Sequence, residues 1–195
     1  MALLISIAVA GVLATAPLNP WLPSQLAGRP LVPLGVITPL GGRALLLGGE
    51  GPTLLRVHWC PRRGLDRWCF AVRWPGGELA GRVGPRSGGL EVAALWGRGE
   101  GGGLNWRGRA EPFALALVDG CLLPRGNWRA RLELRPPGVG PLLLEFEGVE
   151  GEGRVAGDGT GWVRLTPGRL SGRLELAGVG ALPLAGPLPC TGAGA

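Results

Sequence analysis

Short runs in which apolar and polar residues alternate recur along the chain. The clearest is 129–135, where alanine and leucine at even positions alternate with arginine and glutamate at odd positions. Because successive side chains of a strand point to opposite faces, this pattern predicts half-buried antiparallel strands. We predict about ten of them, at 36–47, 53–60, 67–74, 78–84, 90–97, 104–109, 112–119, 127–135, 141–148 and 162–177, the last divided into two.

The same alternation predicts where the tryptophans lie. Trp106, Trp128 and Trp162 each open a strand beside an arginine. Interleaved tryptophan and arginine can form exposed contacts that stack on bases or sugars. The alternative is that these three side chains cap the ends of the core. Core positions are predicted for the tryptophans that fall on apolar strand faces, namely Trp59, Trp68, Trp74 and Trp96.

Glycine and proline interrupt the chain too often for helices. There are 38 glycines and 19 prolines in 195 residues, a content typical of disordered chains, but 46% of the residues are hydrophobic. These residues fall mainly between the alternating runs, where a meander needs turns. The glycine-rich run 97–103 is predicted to be a loop between two halves. We therefore predict an all-β, antiparallel meander that forms a curved, twisted sheet or open half-barrel, preceded by one N-terminal hydrophobic helix.

The N-terminal segment is almost entirely apolar from Ala2 to Leu18. A run of this length is near the short limit for a membrane span and also resembles the core of a signal peptide. We favour an uncleaved anchor, with Trp21 at the membrane interface. The predicted organisation is a membrane anchor or uncleaved signal segment at 1–20, a linker at 21–35, a β-rich periplasmic domain at 36–190 and a tail at 191–195.

Four cysteines become candidates for disulfides if the domain is exported. Cys60 and Cys69 flank a turn-rich loop, so neighbouring strands would bring them to bridging distance. Cys121 and Cys190 would then form a second pair, although four cysteines allow three pairings. A zinc site is the rival explanation, but there is no Cys-x-x-Cys spacing and only one histidine.

Charge and reactive residues exclude more functions than they suggest. The net charge is +6 and all 20 basic residues are arginines, but they are spread along the chain, so nucleic-acid binding is not expected. His58 lies within a strand and is interpreted as a solvated residue. Glu145 and Glu147 are the best acid/base candidates, yet carboxylates two apart on one strand more often form a solvated face. We therefore predict no catalytic residue, no metal site and no cofactor.

The order of segments resembles the type II secretion system protein N (general secretion pathway protein N) family. The resemblance rests on the apolar N-terminus followed by Pro-Trp-Leu at 20–22, the segments 38–44 and 55–59, and the Asp-Gly-x-Gly-Trp-Val-Arg-Leu strand at 158–165. The family's Gly-x-Leu-Trp-x-Gly signature would correspond to 36–42, which lacks the tryptophan. The resemblance implies a short inner-membrane anchor, a β-rich periplasmic domain and no catalytic residues.

The predicted function is that of a non-enzymatic accessory component of a bacterial type II secretion system. It would be a single-pass inner-membrane protein with most of its chain in the periplasm, where it contacts other envelope proteins. The alternative is a periplasmic carrier or tether for lipids or other hydrophobic ligands, which would use a concave apolar face of the sheet.

Overall fold

The computed structural model describes residues 17–21, 24–26, 29–48, 51–60, 67–87, 89–101 and 103–187. Within these residues the only helix is a short 3-10 turn at Asn19–Trp21, and strands and turns account for most of the rest, which confirms the all-β class. The described residues contain no helix with the length and apolar character needed to cross a membrane. The predicted N-terminal hydrophobic helix falls mainly on residues 1–16, outside the described part of the chain.

The chain divides into two compact units, the first of which extends to Pro75. Strands in this unit pair antiparallel in sequence order. Among its described residues, the buried ones are Ala44, Leu46 and Thr53. The strands of the first unit are β1 (Gln25–Leu26), β2 (Arg29–Pro33), β3 (Gly41–Leu46), β4 (Thr53–Trp59) and β5 (Trp68–Trp74).

A disulfide closes the β4–β5 hairpin. Cys60 and Cys69 are bonded, with their Cα atoms 5.7 Å apart, which confirms the predicted pair. Beside them, Trp59 and Trp68 meet edge to face with ring centroids 5.1 Å apart, a favourable aromatic geometry. Cys121 is disulfide-bonded as well, whereas Cys190, its predicted partner, lies outside the described residues.

The second unit begins at Gly76 and contains the longer strands. Its strand pairs are also antiparallel. The strands are β6 (Gly77–Arg86), β7 (Gly89–Gly101), β8 (Leu104–Ala110), β9 (Phe113–Val118), β10 (Cys121–Arg125), β11 (Asn127–Arg135), β12 (Leu142–Val149), β13 (Glu152–Gly157), β14 (Gly159–Thr166), β15 (Arg169–Leu176) and β16 (Gly180–Pro187).

The second unit is a meander with one branch. One edge of β7 pairs with β6, and the other pairs with β8 over 95–101 and with β9 over 90–92. The β9–β10 hairpin turns at Asp119 and Gly120, whose positive φ angles suit the Asp-Gly turn of tight hairpins. Strand β11 returns to β8, and β11 to β16 follow in order. Among the described strands β16 pairs only with β15, so the sheet is open as predicted.

Leucine and valine side chains from β11 to β15 form the core of the second unit. Leu144 lies at its centre and is fully buried. Complete burial of such a side chain contributes about 1.5–3 kcal/mol. The buried residues of this cluster are Leu134, Leu142, Leu144, Val155, Leu174 and Leu176.

Two predictions about local structure were wrong. The run 97–103 is not a loop, because Gly97–Gly101 form the second half of β7 and pair with β8. The strand predicted at 36–47 begins only at Gly41, after a turn at Pro39 and Leu40. The number of strands was also underestimated, and the strands missing from the prediction are β1, β2, β10, β13 and β16.

Candidate interaction surface

The sheet of the second unit has two chemically different faces, and its register extends them across strands β6 to β15. In β11, for example, Leu132 lies opposite Leu144 of β12 while its neighbour Arg131 lies opposite Glu145. The apolar face comprises Leu79, Leu95, Trp106, Trp128, Leu132, Leu134, Leu142, Leu144, Phe146, Val155, Val163, Leu174 and Leu176. The charged face comprises Glu78, Trp96, Arg98, Arg107, Arg109, Arg129, Arg131, Glu133, Glu145, Glu147, Glu152, Arg154, Trp162, Arg164, Arg173 and Glu175.

Ion pairs cover much of the charged face. Most join residues directly opposite each other on neighbouring strands, where unlike charges stabilise a sheet. All of them are solvent-accessible, so each contributes little free energy by itself. The pairs include Arg98–Glu78 (2.8 Å), Arg107–Glu133 (2.6 Å), Arg129–Glu147 (3.0 Å), Arg131–Glu145 (3.0 Å), Arg164–Glu152 (3.0 Å) and Arg173–Glu175 (3.2 Å).

Glu133 is the most constrained carboxylate of this face. It accepts hydrogen bonds from Nε of Arg135 (2.8 Å) and Nε of Arg107 (2.7 Å), and 16% of its side chain is exposed. These two hydrogen bonds, that from Arg135 first, lower the pKa of Glu133. Glu133 is therefore held as a carboxylate between two guanidinium groups.

Glu145 and Glu147, the candidate acid/base residues, belong to the same set of ion pairs between neighbouring strands. The carboxylates of Glu145 and Glu147 are each bound by an arginine of β11, and their side chains remain 45% and 63% exposed. This arrangement matches the solvated face that the sequence favoured. His58 is exposed on β4 in the first unit. The described residues contain no group of three or more potential metal ligands.

Trp106 and Trp128 lie on the apolar face, where each covers glycines of nearby strands. A Cβ atom at Gly99 would lie 3.0 Å from Trp106, and one at Gly153 would lie 2.6 Å from Trp128. Nε1 of Trp128 donates a hydrogen bond to the carbonyl oxygen of Glu150 (2.7 Å). Both rings are half-buried, and their contacts are those of residues that complete the edge of a core.

Trp162, the third predicted contact residue, lies on the charged face. Its side chain is 47% exposed. It lies opposite Arg154 of β13 on one side and Arg173 of β15 on the other. Its indole N–H has no hydrogen-bond partner among the described residues. A large aromatic side chain half exposed between two arginines is typical of the residues that dominate protein interfaces.

Trp96 was predicted to be a core residue, and the structure corrects this prediction. It is 46% exposed and shares the charged face with Trp162. The cause is a β-bulge in β7, where the register with β6 shifts between Arg82 and Val83. The extra residue reverses the alternation, so that Val92 and Leu95 face the core and Trp96 points away from it. Only the pairing with β6 could reveal this shift.

On the central strands of the charged face, two of the described arginines form no ion pair, and both adjoin these exposed tryptophans. On β7, β8 and β11 to β14, the arginines of this face without a carboxylate partner in the described residues are Arg109 and Arg154. Arg109 lies opposite Trp96, and Arg154 lies opposite Trp162. Each exposed tryptophan is therefore accompanied by an arginine that forms no ion pair within the described residues. Arg154 also lies opposite Glu147, whose carboxylate is bound by Arg129.

A groove along the charged face connects the two tryptophans. It consists of three adjoining clefts of about 720, 280 and 920 Å³. The first contains Trp96 and shares Arg109 with the second. The second shares Arg129 and Glu147 with the third, which contains Trp162. We call this feature the charged groove.

A separate apolar slot of about 300 Å³ lies on the opposite face of the same sheet. Trp106 and Trp128 both line it, and its surface is almost entirely apolar. Between them, Gly108, Ala110 and Ala130 leave room because their side chains are small or absent.

Comparison of the chain with protein-family models, curated proteins and solved structures finds no match.

Proposed function

We propose that this chain is a non-enzymatic accessory component of a bacterial type II protein secretion system, as its segment order suggests. In this proposal an N-terminal segment anchors it in the inner membrane. The β domain lies in the periplasm and contacts other envelope proteins. The charged groove, with a half-exposed tryptophan in each of its two end clefts, is the observation on which this proposal depends.

The groove favours a binding role because it is built from the residue types that bind proteins. Tryptophan and arginine are enriched among interface residues that contribute most to affinity. The carboxylates of the groove are engaged by arginines instead of facing each other across a cavity, as glycoside hydrolysis would require.

The Cys60–Cys69 disulfide supports a location outside the cytoplasm. Disulfides persist in oxidising compartments such as the bacterial periplasm and are uncommon in most cytosolic proteins.

Site-specific cross-linking in the source bacterium tests this proposal. A photoreactive amino acid replaces Trp162 in the full-length protein, and illuminated envelopes are analysed by mass spectrometry. We expect cross-links to components of the secretion machine. The matched control carries the same amino acid in place of Arg169, which is exposed on β15 outside the groove. Deletion of the gene should also reduce the export of secreted enzymes.

The proposal would be wrong if position 162 formed no cross-link to a secretion component and deletion left secretion unchanged. The genes beside the coding sequence give a second test. Secretion ATPase and pseudopilin genes are expected there, and a neighbourhood without them would count against the assignment.

The apolar slot favours a second candidate function, that of a carrier or tether for a lipid or another hydrophobic ligand. Its volume is at the lower end of the range for small-molecule pockets, and its walls are aromatic and aliphatic. Lipid extraction from protein purified without detergent, followed by mass spectrometry, tests this function. A stoichiometric lipid that is lost in Ala130→Trp, which fills the slot, would support it. Protein free of lipid would exclude it.

A further inference from the structure

We propose that the charged groove binds an extended polypeptide segment of a partner protein, about seven residues long and with acidic side chains about five residues apart. This inference rests on the proposed role in protein contacts and specifies the partner's chemistry. One acidic residue would engage Arg109 beside Trp96, and the other would engage Arg154 beside Trp162.

The distance between the two tryptophans sets the length of the segment, and the distance between the two arginines sets the spacing of its acidic residues. Five steps between neighbouring strands separate β7 from β14 along the sheet, through β8, β11, β12 and β13. Neighbouring strands lie about 4.8 Å apart, so Trp96 and Trp162 are about 24 Å apart along the sheet surface, which an extended polypeptide covers in about seven residues of 3.4 Å each. Arg109 on β8 and Arg154 on β13 are only three steps apart, and Arg154 is two residues along its strand from the position level with Arg109. The two arginines are therefore about 16 Å apart, or about five residues of extended chain.

The charge pattern of the groove selects an acidic segment. Arg109 lies opposite Arg131 on the neighbouring strand, and like charges in this position destabilise a sheet. Arg131 is bound to Glu145, but Arg109 has no carboxylate partner among the described residues. A carboxylate from a partner would relieve this repulsion at one end, and a second would neutralise Arg154 at the other.

The middle of the groove argues against a uniformly charged polymer. Glu145 and Glu147 lie there and are bound to Arg131 and Arg129. A nucleic acid or a polysaccharide with a charge on every unit would place anionic groups over these ion pairs, where the arginines already have carboxylate partners. A polypeptide with acidic residues near its ends and neutral residues between them matches this charge pattern.

The two indole rings can provide both apolar contact and hydrogen bonds. Trp96 and Trp162 each have an N–H group without a partner among the described residues. Such a group can donate a hydrogen bond to a peptide carbonyl oxygen while the ring covers an aliphatic side chain.

Fluorescence anisotropy with synthetic peptides tests the inference on the full-length chain. The probes have two glutamates in a neutral serine- and threonine-rich background, separated by about two or about five residues. A third probe is fully acidic, and heparin and single-stranded DNA serve as competitors. We expect the five-residue spacing to bind about tenfold more tightly than the short spacing, and the polyanions to compete poorly.

Substitutions in the groove distinguish a specific site from general charge attraction. Arg109→Gln and Arg154→Gln should each weaken binding of the probe with five-residue spacing about fivefold, and Trp162→Thr about tenfold. The control Arg169→Gln removes an equal charge outside the groove and should change binding less than about twofold. Thermal unfolding of each variant establishes that it is folded.

The inference is overturned if affinity does not depend on spacing, if the fully acidic probe or heparin binds most tightly, or if Arg169→Gln weakens binding as much as Arg154→Gln. These results leave the proposed function standing when position 162 still cross-links to secretion components. If the protein with only the photoreactive amino acid at position 162 formed no such cross-links, the proposed function itself would be contradicted.

Discussion

The second unit has two pairs of tryptophans, which lie on opposite faces of one sheet and have different roles. Trp106 and Trp128 cover backbone glycines and complete the apolar face. Trp96 and Trp162 are almost half exposed among arginines on the charged face. The same residue type therefore supports stability on one face and remains available for binding on the other.

This difference has a simple energetic basis. On the apolar face, side chains from several strands exclude water from one another, and removal of any of them leaves a cavity. On the charged face, the ion pairs are accessible to water, which weakens each of them. We therefore expect substitutions on the apolar face to destabilise the fold and substitutions on the charged face to affect mainly recognition.

The largest effect should come from Leu144→Ala. Leu144 is fully buried at the centre of the apolar face, so its truncation should lower the free energy of unfolding by about 2–5 kcal/mol. The matched control is Leu143→Ala, the preceding residue on β12, which is exposed on the other face and should change stability by less than about 0.5 kcal/mol. Urea denaturation measures both, and equal losses would contradict the assignment of the faces.

Gly153→Ala should destabilise the fold by about 1–3 kcal/mol. The new methyl group would lie 2.6 Å from Trp128 and 3.0 Å from Val163, so the ring would have to move. Gly186→Ala is the control, because no atom lies within 4 Å of the added Cβ there. Its melting temperature should be unchanged or raised, whereas a normal melting temperature for Gly153→Ala would show that Trp128 does not cover this glycine.

Acidification should remove the contribution of Glu133 to stability. Because Arg135 and Arg107 lower its pKa in the folded state, its stabilising effect is complete above its ordinary pKa of 4.5 and is lost as the pH falls below it. Melting temperatures between pH 7 and about pH 3 should therefore fall less steeply for Glu133→Gln than for the wild type. Glu100→Gln, an exposed residue of β7, should keep the wild-type profile.

A double-mutant cycle on Arg131 and Glu145 should give a small coupling energy. Their charged groups are 3.0 Å apart, but about half of each side chain is exposed. We expect about 0.2–1 kcal/mol, decreasing with added salt. A coupling above about 2 kcal/mol would mean that the charged face is a major source of stability.

The smallest change in stability is expected for Trp162→Thr. Threonine suits a strand, and the lost ring is half exposed, so the free energy of unfolding should stay within about 0.5 kcal/mol of the wild type. The same substitution at Trp128 should be far more harmful. Similar losses at the two positions would remove the distinction between the faces.

Alternation was enough to predict the strands that contain little glycine or proline. Strand β11 has the predicted bounds 127–135, and β4, β5, β8 and β9 lie within one or two residues of prediction. The pairing of Cys60 with Cys69 followed from the turn between two such strands. These elements share a strong pattern of apolar and charged residues, which specifies both conformation and face.

The missing strands show where a local pattern is insufficient. Strand β13 contains Gly153 and Gly157, and β16 contains Pro183 and Pro187. Glycine and proline are both uncommon within strands. Trp128 covers Gly153, and β16 is a terminal strand of the described sheet, where proline is tolerated. Their strand conformation depends on neighbours that are distant in sequence.

By itself, the sequence determined the all-β class, the alternation of apolar and charged positions, and the disulfide of the β4–β5 hairpin. The tertiary structure decided the branch at β9 and β10, the exposure of Trp96, and the groove that joins it to Trp162. The reason is that alternation specifies a face only within an uninterrupted strand. A bulge reverses it, and which strands then lie side by side depends on hydrogen bonding across the whole sheet.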